Sequence, residues 1–232
     1  MTLEEYKEKE AKRVAINIAH LENGVEFIDI YAAYIDESVK IGKGTVIYPC
    51  AVLEGNTVIG ENCLIGQNTR IKDSVIGDGT DIQSSVILES KVGAKTHVGP
   101  FAYVRPGSTI GDECKVGDFV EVKNSNFGNG SKASHLSYIG DSDVGENVNI
   151  GCGVVFVNYD GTNKHRSTVK DGAFVGCNSN LVSPVTVGEK AYIAAGTTVT
   201  KDVPPGALAV AREKQKNIEG WVEKRGLLNK KK

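Results

Sequence analysis

The sequence predicts an all-β protein: a parallel β-helix built from hexapeptide repeats, with a short N-terminal helix and a C-terminal tail. Three observations predict it. Aliphatic residues recur at every sixth position, first at Ile35, Ile41, Ile47, Leu53, Ile59, Ile65 and Ile71. The same beat returns at Val92, Val98, Val104, Ile110, Val116 and Val122, and again at Val169, Val175, Leu181, Val187, Ile193 and Val199. Gly often follows the aliphatic residue, as in Ile41-Gly42 and Val187-Gly188. Aromatics make up only 6% of the chain while Gly reaches 27 residues, which suits a narrow aliphatic core with tight corners.

The elements follow in order. Residues 3–20 read as a helix, with Leu3, Tyr6, Ala11, Val14, Ile18 and Leu21 close to one stripe among Glu and Lys. Glu22-Asn23-Gly24 stops it. Residues 1–34 form this helix and a linker, 35–202 the β-helix, and 203–232 the tail. The register shortens by one residue at Ile71 to Ile76, Ile82 to Ile87, Ile87 to Val92, Val122 to Phe127 and Ile139 to Val144, each read as a shortened corner. Three hexads per turn give about nine coils, with strands of successive coils about 4.8 Å apart. The open ends need cover, which the helix and the tail could supply. One break is large. Phe156 and Val169 lie 13 residues apart, so 157–168 leaves the prism as a loop. A polar loop on a rigid scaffold is where function concentrates; a tolerated insertion is the plainer alternative.

Composition excludes several classes. A net charge of -2 gives no support for nucleic acid as a partner, and the basic Asn229-Lys230-Lys231-Lys232 reads as a frayed end. The start of the sequence has no signal-peptide core, and no apolar run approaches the ~20 residues of a membrane span. Five cysteines without a C-x-x-C pair suit free thiols in a reducing, cytoplasmic setting. The histidines His20, His97, His135 and His165 are too scattered to suggest a metal site.

The repeat also acts as a ruler. Val104, Val122, Ile139 and Phe156 stack on one side, so Arg105 and Lys123 project outward one coil apart. Stacked like charges call for an anion such as phosphate between them, unless Glu121 or Asp118 neutralises them. Tyr138, Asn149, Asn158 and Tyr159 fall within about four coils of this pair, roughly 15 Å. His135 lies near the corner leading into the same side. A neutral imidazole there suits a general base; a hydrogen-bonded surface histidine is the alternative.

Several runs carry a family resemblance: Arg105-Pro106-Gly107, Phe119 to Lys123, Gly130 to Leu136, Gly151-Cys152-Gly153 through Asn158-Tyr159-Asp160-Gly161 and Lys164, Ala194 to Thr200, and Ala209 to Arg212. In order and spacing they resemble the hexapeptide-repeat acyltransferases. The resemblance is to the C-terminal acetyltransferase half of the bacterial bifunctional enzymes that make UDP-N-acetylglucosamine, and it runs from about His20 to Trp221. It implies a left-handed coil, a homotrimer with intersubunit sites, and acetyl transfer from acetyl-CoA to the amine of glucosamine 1-phosphate, a cell-wall precursor step.

By position, the resemblance makes His135 the general base, with Glu121 orienting or supporting it. It makes Arg105 and Lys123 phosphate ligands, and Tyr138, Asn149 and Lys164 further sugar contacts. Asn158 and Tyr159 fall in the acetyl-CoA site with Cys152, Cys177, Ala195 and Arg212. Cys152 and Cys177 replace Ser or Ala of other members, so only backbone contacts there are expected to survive. No Gly-rich nucleotide loop opening a helix precedes Ile35, so uridylyl transfer and its magnesium are not expected, and a separate uridylyltransferase could be a partner. Two other functions compete: an acetyltransferase for another amino sugar or nucleotide sugar, and a non-catalytic β-helix scaffold.

Overall fold

A computed structural model describes residues 1–227, so the basic run 229–232 lies outside the described residues. The chain winds into a parallel β-helix of about ten coils, with three sheets of 11, 10 and 9 strands as the faces of a prism. Every strand ladder is parallel and joins a strand to the one three strands later, except the last, where Tyr192–Ile193 pairs with Leu208–Ala209 two strands on. The ladders begin at Glu26–Phe27 and end at Leu208–Ala209, so the β-helix extends beyond 35–202 at both ends.

The six-residue beat is the core. The aliphatic positions from Ile35 to Val199 are buried, except for Ile41, which is half-buried in the first coils. Each fully buried aliphatic side chain contributes roughly 1.5–3 kcal/mol, so successive layers hold the prism without a broad core. A second ladder, two residues before the first, was not read from the sequence. It consists of small buried residues such as Thr45, Ala51, Thr57, Cys63, Thr80, Thr96 and Ser131. Their hydroxyls satisfy corner carbonyls: Thr80 Oγ1 donates to Gly93 O at 2.7 Å, and Ser131 Oγ to Gly145 O at 2.7 Å.

The five shortened corners are present. Asp73, Ser84, Glu89, Asn124 and Asp141 occupy them with φ of 46, 44, 43, 46 and 47°. Left-handed residues also turn full-length corners, such as Asn62 and Glu113, and the ladders on either side hold their backbone cost in place.

The N-terminal helix runs from Leu3 to Glu22 and starts with a capping box between Thr2 and Glu5. It docks through a different face from the expected stripe. Leu3, Tyr6, Ile18 and Leu21 are exposed, while Asn17 is fully buried. Asn17 Nδ2 donates to Ile30 O at 2.8 Å and Ala33 O at 3.1 Å, and Arg13 Nη1 donates to Ala33 O at 2.8 Å. The helix therefore engages the first coil through hydrogen bonds to its carbonyls more than through an apolar stripe.

The large break is a folded excursion. Strands Val155–Val157 and Ser167–Val169 claim its ends, leaving 158–166 outside the prism. Tyr159 and Lys164 bridge antiparallel across it. The Asp160 carboxylate accepts from the amides of Thr162 and Asn163 at 2.8 and 2.7 Å and pairs with His165 Nε2 at 2.6 Å. These donors, the Asn163 amide first, hold the Asp160 carboxyl down at about 2. Arg166 anchors the far end through Asp143 at 2.6 and 2.7 Å.

Candidate active site

Ten-stranded pairing puts Val104 beside Val122 and Val122 beside Ile139, so Arg105 and Lys123 emerge on one face in successive coils. Each already has a carboxylate. Arg105 Nη1 donates to Glu121 Oε1 at 2.8 Å. Lys123 Nζ reaches both oxygens of Asp141, at 3.1 and 2.9 Å. Asp141 is buried and also accepts from Asn124 Nδ2 at 2.7 Å and Asn158 Nδ2 at 2.5 Å. Burial alone would raise the Asp141 carboxyl, but the Asn124, Lys123 and Asn158 donors outweigh it and hold it below the ordinary range. Burial likewise opposes charge on Lys123, and Asp141 reverses that.

Lys164 comes from the excursion to the same place. The hydrogen bond and charge of Lys123 hold its ammonium below the usual lysine range, and Arg105 adds to the effect. The face thus gathers three cations against two carboxylates. Asn158 Nδ2 also reaches the Tyr138 hydroxyl at 3.3 Å, tying the loop to the face. The Tyr138 ring occupies the place where a side chain on Gly140 would stand, which accounts for glycine at 140.

His135 ends the strand Lys132–His135, at the corner leading into this face. It is paired in register with Asp118, and its Nδ1 lies 2.6 Å from Asp118 Oδ1. The Glu121 carboxylate accepts from Arg105, while Asp118 is the carboxylate at hydrogen-bond distance from His135 within the protomer. His135 lies 17 residues after Asp118, the length of one coil with a shortened corner, so the ruler itself contained the pairing. Asp141 is different: the register places Gly140 beside Lys123, and the Asp141 side chain reaches across to Lys123 from the next position. A carboxylate against Nδ1 fixes the proton there and leaves Nε2 with its lone pair free to accept.

Cys152, Cys177 and Ala195 occupy a column along the same corner. The Gly153 amide donates to Leu136 O at 3.0 Å, the Asn178 amide to Cys152 O at 2.8 Å, and the Gly196 amide to Cys177 O at 2.8 Å. Arg212 closes the column by donating from Nη1 to Ala195 O. His135 thus stands where the column meets the cationic face. Asn149 lies on the eleven-stranded face, in register with Lys132 and Phe174. Tyr159 is exposed and donates its hydroxyl to Gly161 O at 2.6 Å within the loop. The structure does not bring these two into the hydrogen-bonded cluster. Among the described residues, no group of three or more His, Cys, Asp or Glu side chains is placed to hold a metal ion.

Comparison with known proteins agrees with the repeat. Residues 30–105 match the model of the GMPPB C-terminal domain, 89–124 that of the bacterial transferase hexapeptide, and 168–201 that of the hexapeptide repeat of succinyl-transferase. Two solved UDP-N-acetylglucosamine acyltransferases share the fold. The one from Campylobacter jejuni is 18% identical with a TM-score of 0.50, covering 78% of this chain and 70% of that one. LpxA from Bacteroides fragilis is 23% identical with a TM-score of 0.53, covering 77% and 69%.

Similarity in sequence is much higher to proteins named bifunctional protein GlmU. That of Clostridioides difficile is 60% identical over 94% of this chain and 48% of its own length. That of Alkaliphilus oremlandii is 64% identical over 91% of this chain and 46% of its own length. The chain spans about half the length of the curated relatives it matches. This protein is a hexapeptide-repeat β-helix homologous to the bifunctional GlmU proteins over about half of their length.

Proposed function

We propose that this chain is a glucosamine-1-phosphate N-acetyltransferase: it moves the acetyl group of acetyl-CoA to the sugar amine, as the acetyltransferase half of a bifunctional GlmU does. The observation that carries the reading is a face on which Arg105, Lys123 and Lys164 gather, entered at its near corner by an exposed His135 that is held by Asp118. A dianionic phosphate offers three acceptor oxygens and would take over donors now shared with Glu121 and Asp141. Tyr138 and Asn158 line the same face and supply hydroxyl and amide contacts to a sugar.

The chemistry needs no covalent intermediate, because the thioester is already activated. The sugar amine attacks the thioester carbonyl, and His135 Nε2 takes a proton from the attacking nitrogen. Asp118 steadies the imidazolium that forms. The tetrahedral intermediate collapses with cleavage of the C–S bond, and the departing thiolate takes up a proton. The donor lies along the column of Cys152, Cys177, Ala195 and Arg212, so its acetyl end meets the amine at the corner.

The assembly is a homotrimer. Phe101, Phe119 and Leu136 sit in left-handed backbone along the same corner, 59%, 57% and 56% exposed, and the two phenylalanines stack at 5.4 Å. Such an apolar row beside a site is what a neighbouring subunit covers. No described helix is long and apolar enough to cross a membrane, and a cytoplasmic setting suits both substrates. Uridylyl transfer belongs to a separate domain or partner.

The test is thiol release from acetyl-CoA by the purified protein with a panel of amines. Glucosamine 1-phosphate is the expected acceptor. Turnover of another amino sugar or a nucleotide sugar instead would assign the chain to a sister enzyme, and no turnover with any amine would leave a scaffold.

A further inference from the structure

Two partly accessible cysteines stand in register at the corner. Cys152 follows Gly151 and Cys177 follows Gly176 in adjacent coils. The Asn178 amide donates to Cys152 O at 2.8 Å, and a Cβ built on Gly151 would lie 2.6 Å from the Cys177 nitrogen. Side chains at equivalent positions of adjacent coils stack closely here: 4.4 Å between the rings of Phe174 and Tyr192, and 5.4 Å between Phe101 and Phe119. The rung of about 4.8 Å falls within the Cα separation of about 4.4–6.8 Å that a disulfide spans. Cys152 is half-buried and Cys177 exposed.

The other thiols are arranged differently. Cys63 and Cys114 are buried, and their thiols donate to Gly77 O at 3.2 Å and Gly128 O at 3.1 Å. Burial pushes both upward, away from the reactive thiolate. Cys50 is exposed, but its corner stacks between Ala32 and Asn68, which offer no second sulfur.

We propose that Cys152 and Cys177 form a dithiol site that reacts with small-molecule disulfides, and that its closure shuts the donor column; this second clause rests on the acetyltransferase reading. The Cys177 thiolate attacks one sulfur of the small disulfide. That S–S bond breaks, and one small thiol leaves with the proton Cys177 gave up. The Cys152 thiolate then attacks the Cys177 sulfur of the mixed disulfide. The Cys152–Cys177 bond forms, and the second small thiol leaves with the proton from Cys152. The two cysteines lose two electrons, and the small disulfide gains them.

Bridging one rung must draw β-carbons from about 4.8 Å toward about 3.8 Å. The bridge is therefore strained and reopens under excess thiol. A disulfide of the thiol that acetyl transfer releases belongs to this class of reagent, because half of it has the donor's shape.

The test uses the full chain and glutathione disulfide, followed by alkylation of free thiols and peptide mapping by mass spectrometry. The expected map joins the Cys152 and Cys177 peptides through a disulfide, with dithiothreitol reversing it. Cys63 and Cys114 become alkylated only after unfolding. In Cys152→Ser, Cys177 stops at the mixed disulfide. A native chain in which both cysteines stay free, or carry only mixed disulfides, overturns the dithiol site, whatever the turnover result. Saturating acetyl-CoA is expected to slow bridging at least tenfold, and the bridged chain to lose acetyl-CoA binding in calorimetry until it is reduced. Unchanged bridging beside bound acetyl-CoA would overturn the link to the donor while leaving the dithiol intact.

Discussion

At the residue scale, the proposed chemistry rests on His135 and Asp118. Their pairing at 2.6 Å fixes which nitrogen can accept a proton. Changing His135→Ala is expected to lower kcat by about 10²–10⁴-fold, with the thermal midpoint close to that of the native chain. Asp118→Asn keeps the shape but weakens support for the imidazolium, so kcat should fall by roughly tenfold or more while KM for the sugar holds. A kcat unchanged by either substitution removes the pair from the mechanism. Asp141 is a structural counterpart with a pH signature. Its folded-state pKa lies below the ordinary carboxylate value, so the unfolded chain takes up the extra proton first. The stabilisation is complete above about pH 4 and is lost as pH falls through the folded value. Asp141→Asn strands the mostly buried Lys123 ammonium and should cost about 3 kcal/mol near neutral pH. In urea unfolding, the gap between the two proteins should narrow as the pH drops from about 6 to about 3.

At the scale of the element, the coil is the unit, and its corners tolerate little. A Cβ on Gly176 would lie 2.6 Å from both Ala195 N and Ile193 O. Gly176→Val is therefore expected to destabilise the prism by roughly 1–3 kcal/mol and to displace Cys177 from the column, read as a lower urea midpoint and weaker acetyl-CoA binding. The coil was also the most legible level of the sequence. Ile35 to Val199 announced the buried face, and the five short steps announced corners, which the structure fills with Asp73, Ser84, Glu89, Asn124 and Asp141. What stayed hidden had weaker patterning. The small residues of the second ladder mix Thr, Ser, Ala, Cys and Val, so no single residue type marks them. Asn17 was hidden for another reason. A polar residue that anchors a helix by donating to Ile30 O and Ala33 O leaves no apolar stripe to read. Of the site, Arg105 with Lys123 followed from the ruler, and Asp118 lay on it one coil before His135, whereas Asp141 needed side-chain geometry to pair it with Lys123.

At the scale of the whole molecule, a stack of about ten coils provides one rigid face and one rigid corner, with a single excursion of any size among the described residues. The excursion brings Lys164 and Asn158 over coils that already hold Arg105, Lys123 and Tyr138. On the proposed reading, specificity for a phosphorylated sugar is a property of the stacking and not of any one residue. The most direct measurement is the ratio of kcat/KM for glucosamine 1-phosphate to that for unphosphorylated glucosamine, followed by thiol release from acetyl-CoA. Charge-assisted contacts worth about 1.5–3 kcal/mol each predict a ratio of at least about 100. A ratio near one, or no thiol release with the phosphorylated sugar from a folded protein, would contradict the account.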